Sequence, residues 1–199
     1  MTDDPDELFK LLFGISDHAS LGYHKHPYGG GWVAKTAYVA GTCFIGPNAR
    51  VDDYAHIEGT VCIEGKARIS GSARISGNSR VSGNAKVTEQ ASVSDNAHVS
   101  GNALIERKAK VSGNAYIREN ARVSGYAQVF GEASVFGNAQ IYWSAIVSGN
   151  AQVFGNARII GKSKVSGTAR VFGYTVVRSS NLTSSNHYLE KSNEDYEYE

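Results

Sequence analysis

The chain has little of what usually staples, anchors or exports a protein. Two cysteines in 199 residues make no disulfide framework, and so sparse a use of the residue points to a reducing compartment. No apolar run approaches the ~20 residues that cross a bilayer as a helix, so no membrane association is expected. The opening Met-Thr-Asp-Asp-Pro-Asp-Glu is acidic where a secretory leader is basic, which makes a cytoplasmic location the expectation. His24 and His26 lack a cysteine or carboxylate spaced to complete a zinc site, so no metal is expected. Net charge is only +1, but it divides: residues 1–32 carry −3, residues 33–177 carry +7 and residues 178–199 carry −3. The middle of the chain could therefore suit an anionic partner even though the whole is nearly neutral.

What is present is a period. From Val33 to Val177 every sixth residue is Val or Ile, at 25 consecutive positions. Two residues before each of these, from Ala37 to Thr175, stands a small residue, Ala at 19 of 24 positions. A period of six fits neither the 3.6-residue helix nor a hairpin meander and marks a solenoid of short strands and turns. In a sample strand, Ala97 and Val99 point one way while His98 and Ser100 point the other. Gly101 and Asn102 then turn the corner, where Gly lacks a Cβ and Asn tolerates positive φ. Gly holds that first corner position 16 times between Gly41 and Gly173. One strand cannot bury its apolar face alone, but a stack of coils can. Cys43 falls at an inward small position and Cys62 at an outward one, which argues against a bond between them.

The unit Val-Ser-Gly-Asn-Ala-Lys resembles the hexapeptide repeat of the bacterial acyltransferase superfamily. That resemblance implies three hexapeptides per triangular coil of 18 residues and a left-handed parallel β-helix, against the usual handedness of parallel crossovers. Carried over, residues 33 to 176 make 24 hexapeptides and eight coils, a single all-β prism on the order of 38 Å long. The entry Gly29-Gly-Gly-Trp-Val-Ala34 is similar to those of uninterrupted hexapeptide proteins of bacteria and their phages, many labelled acetyltransferases by analogy. A phage-encoded protein in the host cytoplasm is thus within the resemblance. Residues 1–31 read as cap and loop, 32–177 as the β-helix, and 178–199 as a terminal cap running into a polar, acidic, disordered tail. Leu8, Phe9, Leu11, Leu12 and Phe13, between Pro5 and Gly14, are expected to form a short helix that plugs the open end, the alternative being a peptide that docks another protein.

If positions 18 apart stack, each face can be read as columns. Phe136, Phe154 and Phe172 form one continuous outward column, with Ser82 and Ser100 in the same column on earlier coils and Phe130 and Tyr142 on the neighbouring faces. Large aromatics bury roughly 150–250 Å² each, so the column is expected at or beside a subunit interface, and the resemblance implies a homotrimer. A second face stacks Arg50, Arg68, Lys86, Arg122 and Arg158 into a ladder, read as a solvated surface beside Asp52 and Glu106 or as a seat for a small anionic ligand. Nucleic acid is disfavoured there because no aromatics interleave with the cations.

Two classes of function follow. The first is a non-catalytic structural or binding solenoid, an oligomeric scaffold that docks a protein partner or sequesters a ligand and needs no cofactor. The second, implied by the resemblance, is an O- or N-acyltransferase using acetyl coenzyme A, with an outward histidine as base. His98, on the face of the phenylalanine column, is the first candidate and His56 the second. Enzymes of the superfamily commonly extrude a loop to build the acceptor site, and the unbroken period has none. The scaffold reading therefore leads.

Overall fold

In the computed structural model of the chain, residues 22–184 and a last short strand at Asn186–His187 are described, and among them every regular element is a β-strand. From Phe44 to Val171 nearly every strand is two residues long, a polar or charged residue followed by the periodic Val or Ile. The strands sort into three parallel sheets. Sheet A starts at Trp32–Ala34 and takes Arg50–Val51, Arg68–Ile69 and every third strand after them; sheet B starts at Tyr38–Val39 and sheet C at Phe44–Ile45. Register pairs such as Val81↔Val99 and Val99↔Ile117 lie 18 residues apart, so three hexapeptides close one coil and about eight coils stack. Rung-to-rung bonds run around each coil, as where the N–H groups of Arg80, Ser82 and Asn84 donate to the carbonyls of Ala97, Val99 and Gly101 at 2.7–2.9 Å.

The period dictates the core. Of the 25 Val and Ile positions all are buried except Val39, which is partly buried. Val39 lies in the first strand of sheet B, which has a neighbour on only one side among the described residues. Each fully buried Val or Ile contributes ~1.5–3 kcal/mol, and the coil count multiplies that into the main stabilising term. Where the small inward position is not alanine, the polar substitute pairs locally: the hydroxyls of Ser79, Ser163 and Thr175 each donate to the carbonyl three residues earlier, at 2.7–2.9 Å. No buried side-chain polar atom lacks a partner among the described residues.

The corners correct one expectation. Only the first corner position is left-handed, at every sixth residue from Asp53 (φ 55°) to Ser179 (φ 51°). Asparagine sits at the second position, where its amide donates to the asparagine one coil on. Asn84, Asn102, Asn120, Asn138 and Asn156 form such a ladder between sheets C and A, with 3.0–3.2 Å links. A second ladder, from Thr60 through Asn78 and Asn96 to Asn114, runs between sheets B and C. Asparagine serves here as an inter-coil staple rather than as a residue that tolerates positive φ.

At the N-terminal end Tyr23–Lys25 pairs antiparallel with Trp32–Ala34 and covers that edge of sheet A. A buried polar knot ties this strand down. Asp52, 2% exposed, accepts from Arg50 Nε at 2.5 Å, Arg68 Nε at 2.6 Å and the Tyr23 hydroxyl at 2.8 Å, while Arg50 Nη2 donates to Tyr23 Oη. Burial, with Asp52 alongside, raises the Tyr23 phenol, although its bond from Arg50 pulls the other way. Burial alone would lower Arg50, but its bonds to Asp52 and Tyr23 outweigh this and raise it. Asp52→Ala is expected to lower stability by about 2 kcal/mol, because it removes the buried acceptor that Arg50, Arg68 and the Tyr23 hydroxyl share. The urea midpoint should fall with the m-value unchanged. The plugging helix expected within residues 5–14 lies outside the described residues, as does the tail beyond His187. Past Val177 the parallel stacking goes on at altered spacing, Val165↔Leu182 at 17 residues and Val171↔His187 at 16.

Candidate functional site

The three sheets present two outward columns each, and the sequence-derived candidates can now be placed. On sheet C, Phe136 stacks on Phe154 with ring centroids 4.9 Å apart and planes 2° off parallel, and Phe154 on Phe172 at 5.0 Å and 11°. The rings repeat at the coil spacing because each sits one register step above the next. The guanidinium of Arg118 lies 4.3 Å over the Phe136 ring, and that of Arg170 lies 5.4 Å from the Phe154 ring. The three phenylalanines are half-buried, so their faces shield one another and the row of ring edges meets solvent. Phe130 on sheet B is 38% exposed, and Tyr142 on sheet A is half-buried.

The histidines occupy other positions. His98 stands in the central column of sheet C between Arg80 and Tyr116, two coils before the first phenylalanine of the neighbouring column. Its ring stacks on Tyr116 at 5.0 Å. His56, on sheet B, stacks on Tyr38 at 4.6 Å and places Nε2 3.4 Å from Glu58 Oε2. A general base is usually oriented by a carboxylate or carbonyl, and of these two histidines His56 has the carboxylate beside it. His26, by contrast, is buried and accepts the Tyr28 N–H at Nδ1, 3.3 Å away, within the turn that leads into sheet A. Among the described residues no three of His, Cys, Asp or Glu come together as a metal site. Both cysteines are free, and burial, with Glu64 beside it, raises the Cys62 thiol.

The cationic ladder is interleaved with acid. Arg50 and Arg68 share Asp52, and Arg122 Nε donates to Glu106 at 2.9 Å. Lys86 and Arg158 remain exposed in the same column, separated by Leu104, Arg122 and Gln140. Three of its five cations are thus paired with carboxylates.

The edge between sheets A and B carries a feature that the six-residue period does not announce. Its first corner position runs Asp53, Gly71, Glu89, Arg107, Gly125, Trp143, Gly161, Ser179, all left-handed, and five of these eight carry a side chain. The other two edges hold 14 left-handed corners with only Asp95 and Glu119 departing from glycine. A side chain in that conformation costs roughly 1–2 kcal/mol. Three of the seven recover part of it: Asp53, Asp95 and Glu119 each accept the N–H of the glycine one coil on, at 2.7–2.9 Å. Glu89, Arg107 and Trp143 make no such bond, and all three line one groove of about 420 Å³ on this edge. The edge also lacks an asparagine ladder, having Gln90, Lys108, Tyr126 and Ser144 at the second corner positions. The signal was legible as breaks in the glycine column, but only once positions 18 apart are aligned on one edge.

Two stretches of the chain, residues 67–83 and 151–167, match the family model described as the YdcK beta solenoid repeat. Each stretch is about one coil long, and the similarity agrees with the observed solenoid while its description names no activity. No curated protein matches the chain.

Proposed function

We propose that this β-solenoid is a non-catalytic assembly and binding scaffold that forms a homotrimer through the aromatic column of sheet C. The observation that carries this reading is the Phe136–Phe154–Phe172 stack. Because its rings repeat at 4.9–5.0 Å, a second copy lying parallel presents the same periodicity at the same height, and ring edges can interdigitate in register. Around a threefold axis the same column of every copy faces inward, which favours another copy of this chain over a partner of different spacing. Serines at the equivalent positions of earlier coils, Ser82 and Ser100, confine the apolar strip to the C-terminal part. The faces themselves are the guide, and their chemistry is that of docking surfaces.

Thermal denaturation at increasing protein concentration, with and without acetyl coenzyme A, tests the reading. An assembly that stabilises its subunits melts higher as concentration rises, and a scaffold gains nothing from the coenzyme. The opposite pattern would favour an acyltransferase: no concentration dependence, and a rise of roughly 5–10 °C in coenzyme at a hundred times its dissociation constant, which supplies about 2.7 kcal/mol.

A further inference from the structure

We infer that the groove on the edge between sheets A and B binds an acidic oligosaccharide, with Trp143 and Tyr126 as the stacking platform and Arg107 and Lys108 as the seat of the sugar carboxylate. This edge is separate from the aromatic column of sheet C. The corner row runs Glu89, Arg107, Gly125, Trp143 along the solenoid axis, so glycine opens a notch between a cation and an indole. At Gly125 a Cβ would lie 2.9 Å from the backbone of Trp143, so glycine keeps the notch open there without strain. Trp143 is 63% exposed and Tyr126 beside it 61%, and the Lys108 ammonium sits 5.4 Å from the Tyr126 ring.

The chemistry of the lining selects among flat anionic ligands. Open aromatic faces receive the C–H face of a pyranose, and the groups around them bond its hydroxyls: Gln90 and Ser144 both donate and accept, and Glu89 accepts. A site built for a phosphate would not set the Glu89 carboxylate on its wall, whereas hydroxyl groups bond well to it. The adjacent Arg107 and Lys108 then suit the single charge of a hexuronate. Consecutive coils present their groups about 4.8 Å apart, close to the rise per residue of an extended sugar chain, so an oligomer can run along the edge. The backbone evidence is independent of this chemistry. Glu89, Arg107 and Trp143 occupy left-handed corners where glycine serves on neighbouring coils, and none gains a hydrogen bond to the next coil in return. Residues kept in a conformation that disfavours them, without structural recompense, point to selection for what their side chains touch.

Tryptophan fluorescence of the full chain, titrated with a galacturonate tetramer, tests the inference, with Trp32, which lies under Lys25, as an internal reference emitter. Saturable quenching or a blue shift is expected, weakened by added salt and at least tenfold weaker for a neutral glucose tetramer. Trp143→Gly, with binding followed by titration calorimetry because the reporter is gone, should abolish the binding while melting no lower than the parent, since glycine is at ease at that corner; Arg107→Gly, read on Trp143 fluorescence, should weaken it tenfold or more. No response to the galacturonate tetramer, equal response to the neutral one, or tighter binding of a nucleoside monophosphate would overturn the assignment. So would a Trp143→Gly protein that binds normally, or one that loses both binding and stability, which would make the indole a packing residue.

Discussion

A Val99→Asp chain is expected to yield no folded soluble protein. Val99 is 1% exposed and lies in register between Val81 and Ile117, in mid-solenoid. An aspartate there forfeits the ~1.5–3 kcal/mol of aliphatic burial and places a carboxylate among aliphatic side chains with no cation in reach. An unpaired buried ion adds several kcal/mol more, and the sum is comparable with the whole ~5–15 kcal/mol stability of a domain. A solenoid is sensitive to such a defect because each coil is supported by its neighbours, and a failed coil divides the stack into two short halves. His98→Asp, one residue earlier on the outward face, is the control. It should cost no more than about 1.5 kcal/mol, since the new charge stays in water and only the stacking on Tyr116 is lost. A Val99→Asp protein with the parent's circular dichroism and melting curve would contradict the assignment of this face to the core.

Replacing Phe136, Phe154 and Phe172 together by serine is expected to convert the proposed trimer to monomers while leaving the β-rich circular dichroism intact. The rings lie outside the core and serine already occupies the column at Ser82 and Ser100, so the coils need no aromatic there. Within the chain the substitution removes two stacked pairs, each worth ~0.5–1.5 kcal/mol beyond area burial, a loss the remaining core tolerates. Between chains it removes the only stacked aromatic trio among the described residues, and affinity concentrated in such a strip should fall by orders of magnitude. Substituting Phe130 on sheet B should have a smaller effect, because that ring stands alone in its column.

The architecture was legible because one rule repeats without a slip. Val33 to Val177 at every sixth position specified the inward columns, and with them the three outward faces, so the stacking of Phe136, Phe154 and Phe172 could be anticipated. The local exceptions had physical causes that a period does not encode. Val39 keeps partial exposure because its sheet ends there. Asp52 could be placed beside Arg50 and Arg68 from the columns, but not its burial, nor the convergence of both guanidiniums and the Tyr23 hydroxyl on it, which depends on how the first strand packs. Asn102 and its counterparts staple coils through their amides, a role the local turn pattern does not distinguish from tolerance of positive φ. The groove at Trp143 escaped notice because a tryptophan in a glycine position looks like a lapse in the repeat. It reads as a site only when Glu89 and Arg107 are found on the same edge.

The mass of the protein in solution tests the proposed assembly most directly. Sedimentation equilibrium at micromolar concentration should return three times the chain mass for the parent and a single chain mass for the Phe136→Ser, Phe154→Ser, Phe172→Ser variant. A parent that sediments as a single chain at every concentration would contradict the trimer and release the aromatic column from any role in self-association.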